Sequence, residues 1–385
     1  MKFTCKQQTL SKALNIVSKA VTTRTTIPIL KGILLNVSED GRLTLSASDL
    51  DLTIENNIGV DNYEPGSVVV LSKLFGDIIR KLPNDDVLVE QIENNIHIKC
   101  RNSEFSIIGL PSDEFPSIND IEENNESISF DKEILKDMIK KTSFAASIDE
   151  SKGVITGILI ELENENINMI GIDGYRMAIA REKMENNEER KIIISSKILN
   201  EISKILSELD TEEKEIMMVI SDKRAVFLID NLKVVLRLLD GEFIKYRDII
   251  PKDNKCEVKV NRSELMNSIE RASLLSKEGK NNLIKFTIEN LNMTITSKSE
   301  EGNVRENIGI IKKGEDLSIG FNAKYVLDVL KAIDDEEIIM LFNTSISPCL
   351  IEPVSGNNYE YLILPVRKMC IRDSCKHVYR SIVSI

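Results

Sequence analysis

Few residues in this chain are of the types that do covalent chemistry, and their spacing does not assemble them. His97 and His377 are the two histidines among 385 residues. His97 stands in an alternating run, Ile96-His97-Ile98, which reads as a half-buried strand with the imidazole facing water. Two histidines so far apart offer no nucleophile, base and orienting group in combination. Asp49 and Asp51 have the i, i+2 spacing that lets two carboxylates on one strand face share a cation, but an ordinary polar edge has the same spacing. Cys370, Cys375 and His377 lack the fourth donor of a closed metal site. No Gly-x-x-x-x-Gly-Lys loop is present to cradle a nucleotide phosphate. The expectation is a protein with no catalytic residues, no metal and no cofactor.

The spacing that does carry chemistry is cationic. Lys132, Lys136 and Lys140 recur at i, i+4, i+8, along one face of a helix. Lys12 and Lys19, Lys73 and Arg80, Lys197 and Lys204, and Lys324 and Lys331 are each two turns apart. Six helices are expected over 9–20, 73–82, 132–141, 197–209, 261–274 and 324–332. They carry 15 Lys and Arg against eight Asp and Glu, while the rest of the chain holds 35 basic and 54 acidic residues. Apolar neighbours such as Leu10, Leu14 and Val17 define the opposite stripe. Cations on long stems reach phosphate oxygens without inspecting bases. The candidate phosphate contacts are Lys12, Lys19, Lys73, Arg80, Lys132, Lys136, Lys140, Lys197, Lys204, Arg271, Lys324 and Lys331. No interleaved aromatic platform accompanies them. The contact expected is salt-sensitive and indifferent to sequence. The plainer reading is a set of solvated helix faces on which Lys is favoured by propensity.

These helices sit in an internal repeat. Phe3, Ile128-Ser129-Phe130 and Val258-Lys259-Val260 are short strands, each followed by an amphipathic helix. Half-repeats follow at Val68–Leu71, Ile192–Ile194 and Leu317–Ile319. Alternating runs such as Leu43-Thr44-Leu45-Ser46, Asn166-Ile167-Asn168-Met169 and Asn292-Met293-Thr294-Ile295 read as antiparallel strands. The fold class is α+β: three similar domains, each placing two helices on one side of its sheets. The domains are expected at 1–121, 127–251 and 256–367, with the acidic run Glu122-Glu123-Asn124-Asn125-Glu126 as a linker. The net charge of −12 excludes a uniformly basic coat but not a local basic surface. With 42% apolar residues a sizeable core is expected. No 18-residue apolar run suggests a membrane span, and scattered cysteines suit a reducing cytoplasm. Three alike units leave ends that invite symmetric self-association. Two copies would give six domains and twelve helices, and a closed ring with a basic lumen would hold duplex DNA topologically. An open arc or a solenoid, acting as a non-encircling interaction scaffold, fits the repeats as well.

Several motifs in fixed order carry a resemblance. They are Arg24-Thr25-Thr26-Ile27-Pro28-Ile29-Leu30, Ala47-Ser48-Asp49-Leu50-Asp51-Leu52 and Leu110-Pro111-Ser112-Asp113-Glu114-Phe115-Pro116. Phe144-Ala145-Ala146-Ser147, Asp173-Gly174-Tyr175-Arg176-Met177-Ala178, Leu239-Asp240-Gly241-Glu242-Phe243 and Tyr361-Leu362-Ile363-Leu364-Pro365-Val366-Arg367 follow. Over roughly residues 1–367 the chain resembles the bacterial DNA polymerase III beta subunit family, the sliding clamps. The resemblance implies the DNA clamp fold, with helices on the inner face and sheets outside, and head-to-tail dimerisation into a pseudo-sixfold ring. It implies a non-catalytic processivity factor of DNA replication, cytoplasmic and nucleoid-associated. The implied partners are sequence-independent duplex DNA, a second copy, the DNA polymerase III catalytic subunit and the clamp loader. Other polymerases and repair proteins would bind through a shared short peptide motif.

The resemblance also places a partner-peptide pocket at Gly174, Tyr175, Arg176, Met177, Phe243, Arg247, Ile363, Leu364, Pro365, Val366 and Arg367. Ile363–Val366 could instead be an ordinary buried terminal strand. Ile172 and Ile244 depart from the family's common Thr and Pro and would alter pocket depth. Arg24 resembles a DNA-approaching arginine; the alternative is a charge at a helix end. Phe105, Leu274 and Leu275 resemble the dimer interface, with internal core as the other reading. Residues 368–385 are atypical for the family. They read as a non-native extension or, if native, as a segment beside the pocket that could shield it.

Overall fold

The computed structural model describes residues 1–22, 25–116, 126–163, 165–184, 189–209, 215–276 and 282–366. Six strands each run straight into a helix. Lys2–Lys6 enters helix α1 (Gln7–Val17), Gly66–Leu71 enters α2 (Ser72–Lys81), and Glu126–Asp131 enters α3 (Lys132–Thr142). Arg190–Ser195 enters α4 (Ser196–Glu208), Cys256–Asn261 enters α5 (Arg262–Ser276), and Leu317–Asn322 enters α6 (Ala323–Ala332). Each helix lies within three residues of the range expected from periodicity, and α1 ends in a tight turn over Ser18–Ala20. Three helix starts are capped by the last residue of the preceding strand. Asp131 accepts from the Glu133 amide (2.8 Å), Asn261 from Glu264 (2.9 Å) and Asn322 from Lys324 (2.9 Å). Such caps satisfy amides that the first helical turn leaves without partners.

The chain divides into two compact units. One takes in Met1–Glu133 and Glu201–Leu238, the other Ile134–Asn200 and the chain from Leu239 onward. The division falls within α3 and α4, so the middle repeat contributes strands to each unit. The first unit holds a five-stranded sheet and an eight-stranded sheet, all pairs antiparallel. In the larger sheet, Leu232–Arg237 of the middle repeat pairs with Leu52–Gly59 of the first, Leu236 opposite Leu52. The second unit holds a nine-stranded and a four-stranded sheet. There Arg176–Lys183 of the middle repeat pairs with Tyr359–Ile363 of the third, Arg176 opposite Ile363. Adjacent repeats are thus joined by main-chain hydrogen bonds rather than by linkers alone.

The cores are aliphatic with a few rings. In the first unit α1 packs beside α2 and across Arg42–Ser48 and Leu52–Gly59, burying Leu10, Ala13, Leu14 and Val17. In the second, α5 packs beside α6 and on Leu283–Glu289, Asn292–Lys298 and Asn303–Gly309, around Phe286, Phe321 and Phe342. Each fully buried Leu, Ile or Phe contributes about 2 kcal/mol. The apolar stripe therefore fixes which face of each helix is left for Lys and Arg. His97 points out of its strand between buried Ile96 and Ile98, as alternation requires.

Candidate functional site

Most of the pocket residues expected in the second unit gather at the end of the strand pair that joins two repeats. Ile363 is the exception, buried in the core around Phe286 and Phe321 while its strand neighbours Leu362 and Leu364 belong to the pocket wall. Asp173 organises the turn. Its Oδ1 accepts from the amides of Tyr175 (2.8 Å) and Arg176 (3.0 Å), and its own amide donates to the Arg176 carbonyl (3.3 Å). The chain turns at Gly174, whose φ of +96° lies in the region that side chains avoid. The neighbouring strand end is held by the Leu364 amide, which donates to the Tyr175 carbonyl (2.9 Å), and the Val366 amide, which donates to Gly320 (2.8 Å).

Arg176 is 6% exposed. Its Nε donates to Asp173 (3.0 Å), one terminal nitrogen to Asp328 on α6 (2.6 Å) and the other to the Phe144 carbonyl (2.6 Å). The guanidinium lies 4.6 Å from the Tyr325 ring centre, and Tyr325 stacks with Tyr175 at 6.1 Å. A buried cation is tolerable only with this degree of pairing. Arg176 therefore acts through Asp173 and Tyr325 to position the turn.

The apolar wall is built beside that turn. Met177, Ile172, Ile179 and Leu362 are buried in one cluster, and Phe243, Ile244 and Leu364 pack against it half-buried. Ile172 is wholly inside, whereas Ile244 lies at the surface of the cluster. At the edge, exposed Arg247 donates to Glu161 (2.7 Å) and Glu163 (2.5 Å). Tyr246 Oη donates to the same Glu161 (2.6 Å), and Lys191 lies 2.6 Å from its other oxygen. Burial alone would raise the Glu161 pKa. The hydrogen bonds from Lys191 and Tyr246 and the charge of Arg247 outweigh it and hold the carboxyl below its usual range. Burial and the Glu161 contact push the Tyr246 phenol up.

Comparison with known proteins decides the family. Models of the DNA polymerase III beta subunit match in chain order: its N-terminal domain over residues 1–119, its central domain over 129–245 and its C-terminal domain over 247–367. The chain is 36% identical to the beta sliding clamp of Bacillus subtilis over 381 residues, covering 95% of this chain and 100% of the relative. It belongs to the DNA polymerase III beta subunit family. Two solved structures agree. The Bacillus subtilis DNA polymerase sliding clamp superposes with a TM-score of 0.90 at 34% identity, covering 96% of this chain and 100% of that one. The Thermotoga maritima DNA polymerase III beta subunit gives 0.89 at 32%, with the same coverage. The chain is thus a homologue of the non-catalytic beta sliding clamp, a DNA polymerase processivity factor, and it shares the α+β clamp fold of repeated helices and antiparallel sheets.

Within the sliding-clamp family frame, the candidate phosphate contacts fall on helix faces opposite the buried stripes. Lys12, Lys73, Arg80, Lys140, Lys197, Lys204, Arg271, Lys324 and Lys331 are exposed, and Lys19, Lys132 and Lys136 half-buried. Many have acidic company. Lys19 pairs with Glu208 (2.9 Å), Lys140 with Asp334 (2.7 Å), Arg80 with Asp77 (2.5 Å), Lys204 with Glu201 (2.7 Å), Arg271 with Glu306 (2.6 Å) and Lys331 with Glu270 (3.2 Å). Lys132 donates to the Leu209 carbonyl (2.9 Å). Among the dimer candidates, Phe105 is 41% and Leu274 66% exposed, and Leu275 is half-buried. Asp49 serves a turn, accepting from the Asp51 and Leu52 amides. No helix among the described residues is long and apolar enough to cross a membrane. Arg24, Arg367 and the extension 368–385 lie outside the described residues.

Sequence reading missed the partners that hold the pocket: Asp173 and Asp328 on Arg176, Tyr325 on Tyr175, and Glu161 on Arg247. A signal existed for one of them. Glu161 is an acid flanked by Ile160 and Leu162 in an apolar strand, and a buried acid asks for cations.

Proposed function

We propose that this chain forms a head-to-tail homodimeric ring that encircles duplex DNA and tethers the replicative polymerase. The domains in this reading are 1–121, 127–251 and 256–367. The observation that carries it is the recurrence, on six helices, of a buried apolar stripe backed by Lys or Arg. Such helices, facing a central hole, would contact phosphates without reading sequence, and the ring would slide because no specific contact must break. The surface ion pairs support sliding further: exposed pairs are worth little, so phosphates can exchange with Asp334 or Glu306 as partners.

Exposed Phe105 and Leu274, with Leu275, would meet across the subunit boundary. Met177, Phe243 and Leu364, with Gly174, Tyr175, Pro365 and Val366, would receive the apolar anchors of a short partner motif. Arg247, and Arg367 beyond the described residues, would meet its polar ends. Through that pocket the polymerase catalytic subunit, the clamp loader and other polymerases and repair proteins would take turns. A tethered polymerase that lets go rebinds at high effective concentration. The compartment in this reading is the cytoplasm, on the nucleoid.

The test is retention on nicked circular DNA with a clamp loader and ATP supplied. Release on linearisation is the expected result. Equal retention on linear DNA would make the protein a non-encircling scaffold. Leu274→Asp with Leu275→Asp should give a folded monomer that is not retained, and an unchanged dimer mass would refute those interface residues.

A further inference from the structure

The first unit contains a second turn built on the frame of Asp173–Arg176. Asp49 Oδ1 accepts from the amides of Asp51 (3.1 Å) and Leu52 (2.7 Å). The Asp49 amide donates to the Leu52 carbonyl (3.0 Å), and the Arg237 amide donates to the Asp51 carbonyl (2.9 Å). The register is the same, with Leu52 opposite Leu236 as Arg176 is opposite Ile363. Position 50 thus corresponds to 174, 51 to 175 and 237 to 364.

A cleft of about 280 Å³ opens beside this turn, with Leu50, Asp51, Pro116, Lys223, Arg224 and Arg237 among its lining residues. Its charge is unusual for a sheet. Arg224 and Arg237 are directly opposite each other on antiparallel strands, a placement in which like charges destabilise. Lys223 adjoins them. None of the three side chains has an ion-pair partner among the described residues, although the chain as a whole is acidic. The apolar element is Leu50. It is 59% exposed and holds a φ of +79°, a conformation that costs a leucine about 1–2 kcal/mol. Gly occupies the corresponding place in the other turn.

We infer that this cleft is a second peptide-docking site, for an acidic segment of a partner protein that carries an apolar side chain. The three cations would meet its carboxylates, and Leu50 with Pro116 would flank the apolar residue. An exposed leucine adds nothing to phosphate binding, which favours a peptide that carries an apolar side chain over a run of phosphates. The site differs in charge from the Phe243–Leu364 pocket and would select different partners.

The probe is a fluorescein-labelled hexapeptide, Glu-Asp-Glu-Leu-Glu-Asp, titrated into the full chain by anisotropy, with leucine-methyl NMR to locate it. Binding that shifts the Leu50 methyls and weakens with salt is expected. Arg224→Glu with Arg237→Glu should lower affinity about tenfold, and Arg237→Gln alone should lower it by less. Leu364→Asp, in the other pocket, should leave it within twofold. The uncharged analogue Gln-Asn-Gln-Leu-Gln-Asn should not bind. No binding, Leu50 methyls that do not move, equal affinity in both charge variants, or loss of binding in Leu364→Asp would each overturn the site. Displacement of the peptide by single-stranded oligodeoxythymidine would overturn the choice of peptide over nucleic acid.

Discussion

The turns at Asp49–Leu52 and Asp173–Arg176 share a backbone frame and differ in everything attached to it. At Asp173–Arg176 the last residue is a buried arginine tied to Asp173 and Asp328, the residue before it is a tyrosine stacked on Tyr325, and the corner is glycine. At Asp49–Leu52 those places hold a buried leucine, an exposed aspartate and an exposed leucine. The hydrogen bonds are main-chain or come from the single Asp, so the frame survives replacement of the other three side chains. The repeat fixes where a recess forms, and those side chains, with what faces them, fix what it can hold. Charge is handled in opposite ways. In the second unit Glu161 gathers Lys191, Tyr246 and Arg247. Beside the Asp49–Leu52 turn, Lys223, Arg224 and Arg237 have no ion-pair partner among the described residues.

The sharpest test of that contrast is Arg176→Met. It strands two carboxylates beside a buried apolar side chain, and the loss expected is about 3 kcal/mol, read from urea unfolding of the wild type and variant. Leu52→Met at the matching place should cost under about 1.5 kcal/mol, because volume and polarity are nearly kept. Equal losses would mean that the arginine network is not what distinguishes the two turns.

Glu161→Gln comes next. Loss of charge-assisted hydrogen bonds should cost about 2 kcal/mol at neutral pH. The folded carboxyl titrates below its unfolded value, which is about 4.3. Its contribution is therefore full above that value and disappears as pH falls through the lower folded pKa. The gap between wild type and variant should stay constant from pH 8 to pH 5 and close below pH 4. A gap that persists into acid would assign the effect to packing around Tyr246 instead of charge.

Much of this architecture was legible in the chain itself. The six helices were, because Leu10, Leu14 and Val17, or Leu265, Ile269 and Ala272, recur at helical spacing and are the residues that became buried. The family was legible because Asp173-Gly174-Tyr175-Arg176 and Leu362-Ile363-Leu364-Pro365 keep their order. What the pocket residues touch was not. Arg176 meets Asp328 across 152 positions and Arg247 meets Glu161 across 86, and no local pattern encodes such pairings. Arg176 was expected among the residues lining the pocket, yet it is buried and satisfied. Leu50 was hidden for a different reason. Propensity argues against a left-handed leucine, so a Ser-Asp-Leu-Asp run gave a polar edge and no recess. The opposition of Arg224 and Arg237 depends on the register of a hairpin, which sequence sets only through its turn.

Exchanging the two corners probes strain directly. Gly174→Leu should cost about 1–2 kcal/mol, since a Cβ enters a left-handed corner, and in the proposed pocket it should also weaken partner-peptide binding. Leu50→Gly removes the same strain but frees the unfolded chain, so a gain of only about 0.5 kcal/mol is expected. Thermal midpoints of the two single variants and of the double exchange should show the effects adding, because the sites share no partner. A destabilised Leu50→Gly would mean that the exposed leucine is held by packing rather than endured for binding.

The smallest effect isolates the open charge. Arg224→Glu turns a directly opposed like pair into an opposite pair with Arg237, which by cross-strand energetics should stabilise the first unit by about 0.5 kcal/mol. The gain should shrink in 1 M salt, where exposed charges are screened beyond about 3 Å. Stabilisation by a single surface substitution would show that the wild-type sheet carries an avoidable repulsion. A residue that makes its own fold less stable while facing a cleft is best explained by what the cleft receives. If Arg224→Glu is neutral at both ionic strengths, the two guanidiniums already avoid each other, and the cleft loses the electrostatic argument for an acidic partner.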